Sequence, residues 1–169
     1  MKRLEDLRFK CPYWQQTMTT DLKRLNRRTA KIDFDVFLPS RGKNLQRDFV
    51  WTLEQKRELI WSALLKRRIP ELSIINRWDD TLEVIDGKQR LSALIGFSKN
   101  EYTIDIEGEE YLFDDLPKEY QDEIIGYNIS YYEIIEMEDT IPDDFKIAWF
   151  KSINFAGTPQ DREHLNSFE

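Results

Sequence analysis

The sequence predicts an α+β fold, with short strands interleaved with helices around a small mixed sheet. Three observations carry this. Turn-forming stretches such as "RWDD" and the Glu107-Gly108 pair separate β-rich runs. Apolar residues recur at helical spacing in several segments. The elements follow no regular strand–helix alternation, which argues against a doubly wound parallel sheet. A chain of 169 residues suits one main domain with a real core.

Taken in order, residues 1–31 are basic and weakly helical, and are expected to form an arm ahead of a body spanning 32–169. "DFDVFLP" (33–39) alternates Phe34, Val36 and Leu38 with acids and Phe37, as a first strand closed by Pro39 would. Thr52, followed by Leu53, Glu54 and Gln55, has the form of a capping box. The helix it opens should end near "KRRIP", because Pro70 disfavours helix just before it. "ELSIIN" and "TLEVID" read as a strand pair around "RWDD", and Leu91, Leu94 and Ile95 place a short helix after them. "YTIDIEGEEYLF" reads as a hairpin, and "DDLPKEYQDEIIGY" as a helix with Pro117 in its first turn. "NISYYEIIEM" is a further strand and "PDDFKIAWFKSIN" a helix. "AGTPQ" breaks that helix before a last one around "DREHLNSF".

Composition narrows the chemistry. One cysteine, Cys11, provides no internal disulfide and suits a reducing cytoplasm. With only His164 beside it, the chain cannot build a His/Cys zinc site or an HNH-type nuclease centre. No apolar run approaches the length of a membrane span. The net charge of −7 conceals a gradient. Residues 1–31 carry nine Lys/Arg against three Asp/Glu, whereas residues 101–169 carry four against nineteen. Nucleic-acid contact, if made, should therefore use the basic end. Lys66, Arg67 and Arg68 form a second basic cluster, at a helix C-terminus where the dipole alone favours cations.

The chemistry concentrates in "VIDGKQRLSALIGF" (84–97). Here a strand-like run meets a helix with no linker, and a helix N-terminus offers unpaired N–H groups to an anion. Gly87 permits a positive φ and close ligand approach. Arg90 can fork onto phosphate oxygens, Lys88 adds a point charge, and Gln89 can donate to phosphate or a base. Asp86 could hold a magnesium-bound water or orient Arg90. The plain alternative is an Asp-Gly turn leading into a solvated helix.

"LQRDFVW" (45–51), "IWSALLKRRIPEL" (60–72), "VIDGKQRLSALIGF" and "WFKSINFAGTP" (149–159) occur in one order. That series closely resembles the N-terminal domain of GmrSD-type modification-dependent restriction enzymes, which is similar in turn to the ParB/sulfiredoxin fold. The resemblance implies nucleoside triphosphate binding and Mg²⁺-dependent hydrolysis at the corner, with Asp86, Gly87, Lys88, Gln89 and Arg90 matching the family's IDGQQR motif. Lys88 stands where glutamine is common. By the same resemblance Gln46 and Arg47 lie beside the pocket, where Arg47 could clamp a phosphate or base. Trp51 is expected as a core anchor rather than a stacking platform. Asn154, Gly157 and Thr158 match a family loop that can contact phosphate or a hydrated Mg²⁺. Ala156 replaces a usual glycine there. Glu163 could assist the metal; His164 is expected to be a surface or packing residue.

The expected catalytic residues are thus Asp86, Arg90 and Asn154, with Asn154 and Glu163 toward Mg²⁺. Gln46, Arg47, Gly87, Lys88, Gln89, Arg90, Gly157 and Thr158 are expected to hold the nucleotide. The implied partners are a nucleotide, DNA through the basic arm, and a protein such as a separate nuclease subunit. The family's HNH-type nuclease is expected to lie outside this chain, which would then be a stand-alone short member or a truncated piece. Two rival functions are a non-catalytic DNA- or protein-binding module and a ParB-like nuclease or phosphotransferase.

Overall fold

A computed structural model describes residues 13–48, 50–137 and 139–155. In chain order its first elements are β1 (Trp14–Asp21), α1 (Leu22–Arg27), β2 (Ile32–Asp33), β3 (Phe37–Leu38), β4 (Lys43–Asn44) and α2 (Leu53–Leu64). The central ones are β5 (Leu72–Asn76), β6 (Leu82–Asp86), α3 (Lys88–Ser98), β7 (Ile104–Ile106) and β8 (Glu109–Tyr111). α4 (Lys118–Ile125), β9 (Asn128–Ile135) and α5 (Asp143–Phe155) complete the described chain.

β5 and β6 lie inside a mixed five-stranded sheet of order β1-β9-β5-β6-β2. Their first four residues are buried on both faces, as "LSII" and "LEVI" demand. Strand alternation then sorts the core. Leu72, Ile74, Leu82 and Val84 pack with residues of α1, α2, α3 and α4. Ile75 and Ile85 face the other way, onto Ile147, Trp149 and Phe150 of α5. The sheet is therefore covered on both faces, and among the described helices α5 alone lies on its side. Lys146 anchors it, meeting Glu83 of β6 at 2.7 Å with both side chains buried. Burial pushes the Glu83 carboxyl above its ordinary range, against the opposing pull of Lys146.

Several expected elements form as read. Thr52 and Gln55 make a reciprocal capping box at α2. β5 and β6 pair antiparallel, and β7 and β8 form a hairpin with Glu107 at φ +55° and Gly108 at φ +88°.

Residues 14–31 depart from the expected arm. β1 pairs with β9 along all eight of its residues, and Leu22 and Leu25 of α1 enter the core. The stretch "TMTT" suits a strand, while three of the nine cations of residues 1–31, Lys23, Arg24 and Arg27, lie exposed on α1. The strand expected over 33–39 is also broken. The Asp33 carboxylate accepts from the amides of Asp35 and Val36, at 2.9 Å each, and Val36 sits at φ +52°. Pro117 caps α4 rather than entering its first turn. The expected last helix, and residues 1–12 of the arm, lie outside the described residues.

Candidate functional site

Asp86 ends β6, and Gly87 alone turns the chain into α3. Gly87 sits at φ +99°, and a Cβ there would lie 2.2 Å from Leu72 Cδ2. Glycine is thus required twice, by conformation and by space. No side chain caps α3 at Gly87, whereas Asp21 caps α1 and Thr52 caps α2. The first amides of α3 remain available to a ligand.

The strand before the corner is irregular. The β5–β6 register slips between Ser73 and Ile74, so Ser73 pairs with Asp86 while Ile74 pairs with Val84. Such a bulge leaves a residue unpaired and re-aims its neighbour. Gln46 compensates for it: its Nε2 donates to the carbonyls of Val84 at 2.8 Å and Ile85 at 2.5 Å.

The remaining corner residues are held by named partners. Arg90 Nη2 donates to Asp86 Oδ2 at 2.7 Å and to the Glu71 carbonyl at 3.2 Å, while its Nε is buried without a hydrogen bond to a described residue. Gln89 clamps the segment before α2. Its Oε1 accepts from the amides of Val50 and Trp51, and its Nε2 donates to the Asp48 carbonyl. Lys88 is buried and reaches Asp35 at 2.6 Å. Arg47, half-buried, makes no hydrogen bond or ion pair with a described residue.

These residues line a cleft of about 100 Å³ bordered by Arg47, Lys88 and Arg90 against the single carboxylate of Asp86. Asp86 and Asp35 balance Arg90 and Lys88, so Arg47 and the open helix N-terminus supply the unbalanced positive charge of the cleft. Trp51 borders it while also packing against the core, so its anchoring role and its place at the cleft coexist.

The chain matches the family described as GmrSD restriction endonuclease, N-terminal domain, over residues 25–168. It belongs to that family. It is thus a module related to restriction systems. Comparison with curated proteins and with solved structures found no match. The GmrSD N-terminal match begins inside α1, ahead of the boundary expected at residue 32.

The structure brings Gln46, Arg47, Asp86, Gly87, Lys88, Gln89 and Arg90 together at one GmrSD N-terminal corner. Asn154 does not border that cleft. It is buried on α5, where its Nδ2 donates to the Phe150 carbonyl at 2.8 Å. Gly157, Thr158, Glu163 and His164 lie outside the described residues, as does Ala156. Among the described residues no group of three His, Cys, Asp or Glu could hold a metal ion, and no helix is long and apolar enough to cross a membrane.

Sequence reasoning missed Asp35, Glu71 and Ser73 at this corner. Asp35 is 53 positions from its partner Lys88, and no local pattern announces such a pair. The bulge at Ile85, opposite Ser73, likewise has no marker in "TLEVID". A buried lysine, however, must find a counter-charge, and that rule could have prompted the search for an acid.

Proposed function

We propose that this GmrSD N-terminal domain binds the phosphates of a nucleoside triphosphate at the β6–α3 corner and hydrolyses the nucleotide with Mg²⁺. The observation that carries the reading is the uncapped start of α3 behind Gly87, facing a cleft with Arg47, Lys88 and Arg90 at its border. A polyphosphate there would accept from backbone amides and from all three cations.

In hydrolysis a water oxygen bonds to the γ-phosphorus, and the β–γ bridging oxygen leaves with the nucleoside diphosphate. Charge spreads over the γ-oxygens as this happens, and fixed cations and amides favour that distribution without reorganising. Arg90, held by Asp86 and Glu71, is pre-oriented for this role. Mg²⁺, when bound, neutralises phosphate charge. Asp86 Oδ2 engages Arg90, so Oδ1 is the carboxylate oxygen at the cleft left to meet a hydrated ion arriving on the nucleotide.

Thermal shift with ATP, GTP, CTP and UTP in Mg²⁺, followed by phosphate release, tests the reading. At a hundredfold excess over Kd a bound nucleotide adds about 2.7 kcal/mol, a rise of several degrees. Arg47→Ala removes no hydrogen bond or ion pair with a described residue, so it should change the melting temperature little and lose the nucleotide shift. If no nucleotide raises the melting temperature of the unmodified protein, the reading fails.

A further inference from the structure

Ser73 links the corner to a second, larger concavity. Its register partner is Asp86, so the two Cα atoms stand about 5 Å apart, as cross-strand pairs do. Ser73 also lines a cavity of about 550 Å³, together with Gln15, Glu71, Tyr132, Trp149 and Ser152. Glu71 joins the two sites as well: its carbonyl accepts from Arg90, and the residue borders the cavity.

The cavity wall has both apolar surface and unused polar groups. Tyr132 and Trp149 meet edge-on, with ring centroids 5.9 Å apart. The Tyr132 hydroxyl donates to Gln15 Oε1, which leaves the Gln15 NH₂ as a donor. Ser73 is only 8 % exposed, yet its hydroxyl has no hydrogen-bond partner among the described residues. The hydroxyl itself is accessible from the cavity, where a ligand atom can take the place of a solvent partner. The Glu71 side chain is exposed at the rim and makes no ion pair with a described residue.

Size separates the two concavities. The corner cleft, at about 100 Å³, falls below the usual size of a small-molecule site. Small-molecule sites typically run from about 300 to 1,000 Å³, a range that includes the larger cavity.

We propose that the cavity between β5, β9 and α5 is the nucleoside subsite of this domain, holding base and sugar while the phosphates extend one strand away to the Asp86–Arg90 corner. The inference rests on the phosphate-binding reading of that corner. Tyr132 and Trp149 supply apolar contact, and the Ser73 hydroxyl and Gln15 amide supply the hydrogen bonds that orient the base or ribose.

The test compares inorganic tripolyphosphate with ATP, GTP, CTP and UTP, all with Mg²⁺, by titration calorimetry on the full chain. At least one nucleotide should bind about tenfold more tightly than tripolyphosphate, the return expected from one or two hydrogen bonds plus apolar burial. Ser73→Leu should erase that preference. Gln15→Ala, on the exposed edge strand where folding is not at risk, should reduce the preference about fivefold. If tripolyphosphate binds as tightly as every nucleotide, the subsite is wrong and the corner reading stands. Equal losses of nucleotide and tripolyphosphate affinity in Gln15→Ala would also overturn it. If neither ligand binds the unmodified protein, the corner reading falls and takes the subsite with it.

Discussion

Lys88 Nζ donates to Asp35 Oδ1 at 2.6 Å, so the lysine that opens α3 faces a carboxylate from across the fold. The Lys88 side chain is 8 % exposed and that of Asp35 57 %, so the pair straddles the protein boundary. A buried ammonium needs a partner, and Asp35 supplies one. The same residue accepts from the Gln46 amide through its carbonyl, at 3.2 Å. Lys88 therefore holds in place the segment that leads to Arg47. An incoming phosphate would have to compete with Asp35 for this cation.

Replacing Asp35 by Asn removes that competition while keeping an oxygen for Lys88. Half-exposed ion pairs contribute up to about 1 kcal/mol, so stability should fall by no more than that. Affinity for tripolyphosphate should rise about fivefold, the equivalent of about 1 kcal/mol returned to Lys88. Calorimetry on Asp35→Asn decides the matter. An unchanged affinity would mean that Lys88 only pins the loop and never meets phosphate.

Gly87 should tolerate no side chain. Alanine there adopts a left-handed conformation costing about 1–2 kcal/mol and drives its Cβ against Leu72, which adds about 1–3 kcal/mol of overpacking. Gly42 provides the control: it sits at φ +63° with nothing within 4 Å of a would-be Cβ. Urea unfolding should show Gly87→Ala losing clearly more stability than Gly42→Ala. Equal losses would show that Leu72 yields and that space at the corner is not limiting.

The corner was legible because its signals are local. Val84 and Ile85 alternate as a strand, Gly87 interrupts, and Leu91, Leu94 and Ile95 resume at helical spacing within a dozen residues. The Thr52–Gln55 box and the Glu107-Gly108 turn are local too. What escaped depends on partners distant in sequence. The Gln46 amide serves the carbonyls of Val84 and Ile85 at the β6 bulge, which only the β5–β6 register reveals. β1 was hidden because the charge of residues 1–31 outweighed the short β-branched run inside them. Its place beside β9, more than 100 residues later, is a tertiary fact.

The hairpin packed on α2 offers a pH test away from the corner. Arg57 Nη2 donates to Glu110 Oε1 and Thr103 Oγ1 to Glu110 Oε2, at 2.8 Å each. The hydrogen bond from Arg57, then that from Thr103, then the Arg57 charge hold the Glu110 carboxyl below its ordinary value of 4.5. A carboxyl with a lower value in the folded state binds its proton less tightly there than in the unfolded chain. Its contribution to stability is therefore complete above 4.5 and disappears as pH falls through the lowered folded value. Urea unfolding of the native sequence and of Glu110→Gln should differ at neutral pH in favour of the native sequence. The gap should close in acid, because protonated Glu110 and glutamine are then both neutral. A gap that persists unchanged below the folded value would show that hydrogen-bond geometry, rather than the ionised carboxylate, ties the hairpin to α2.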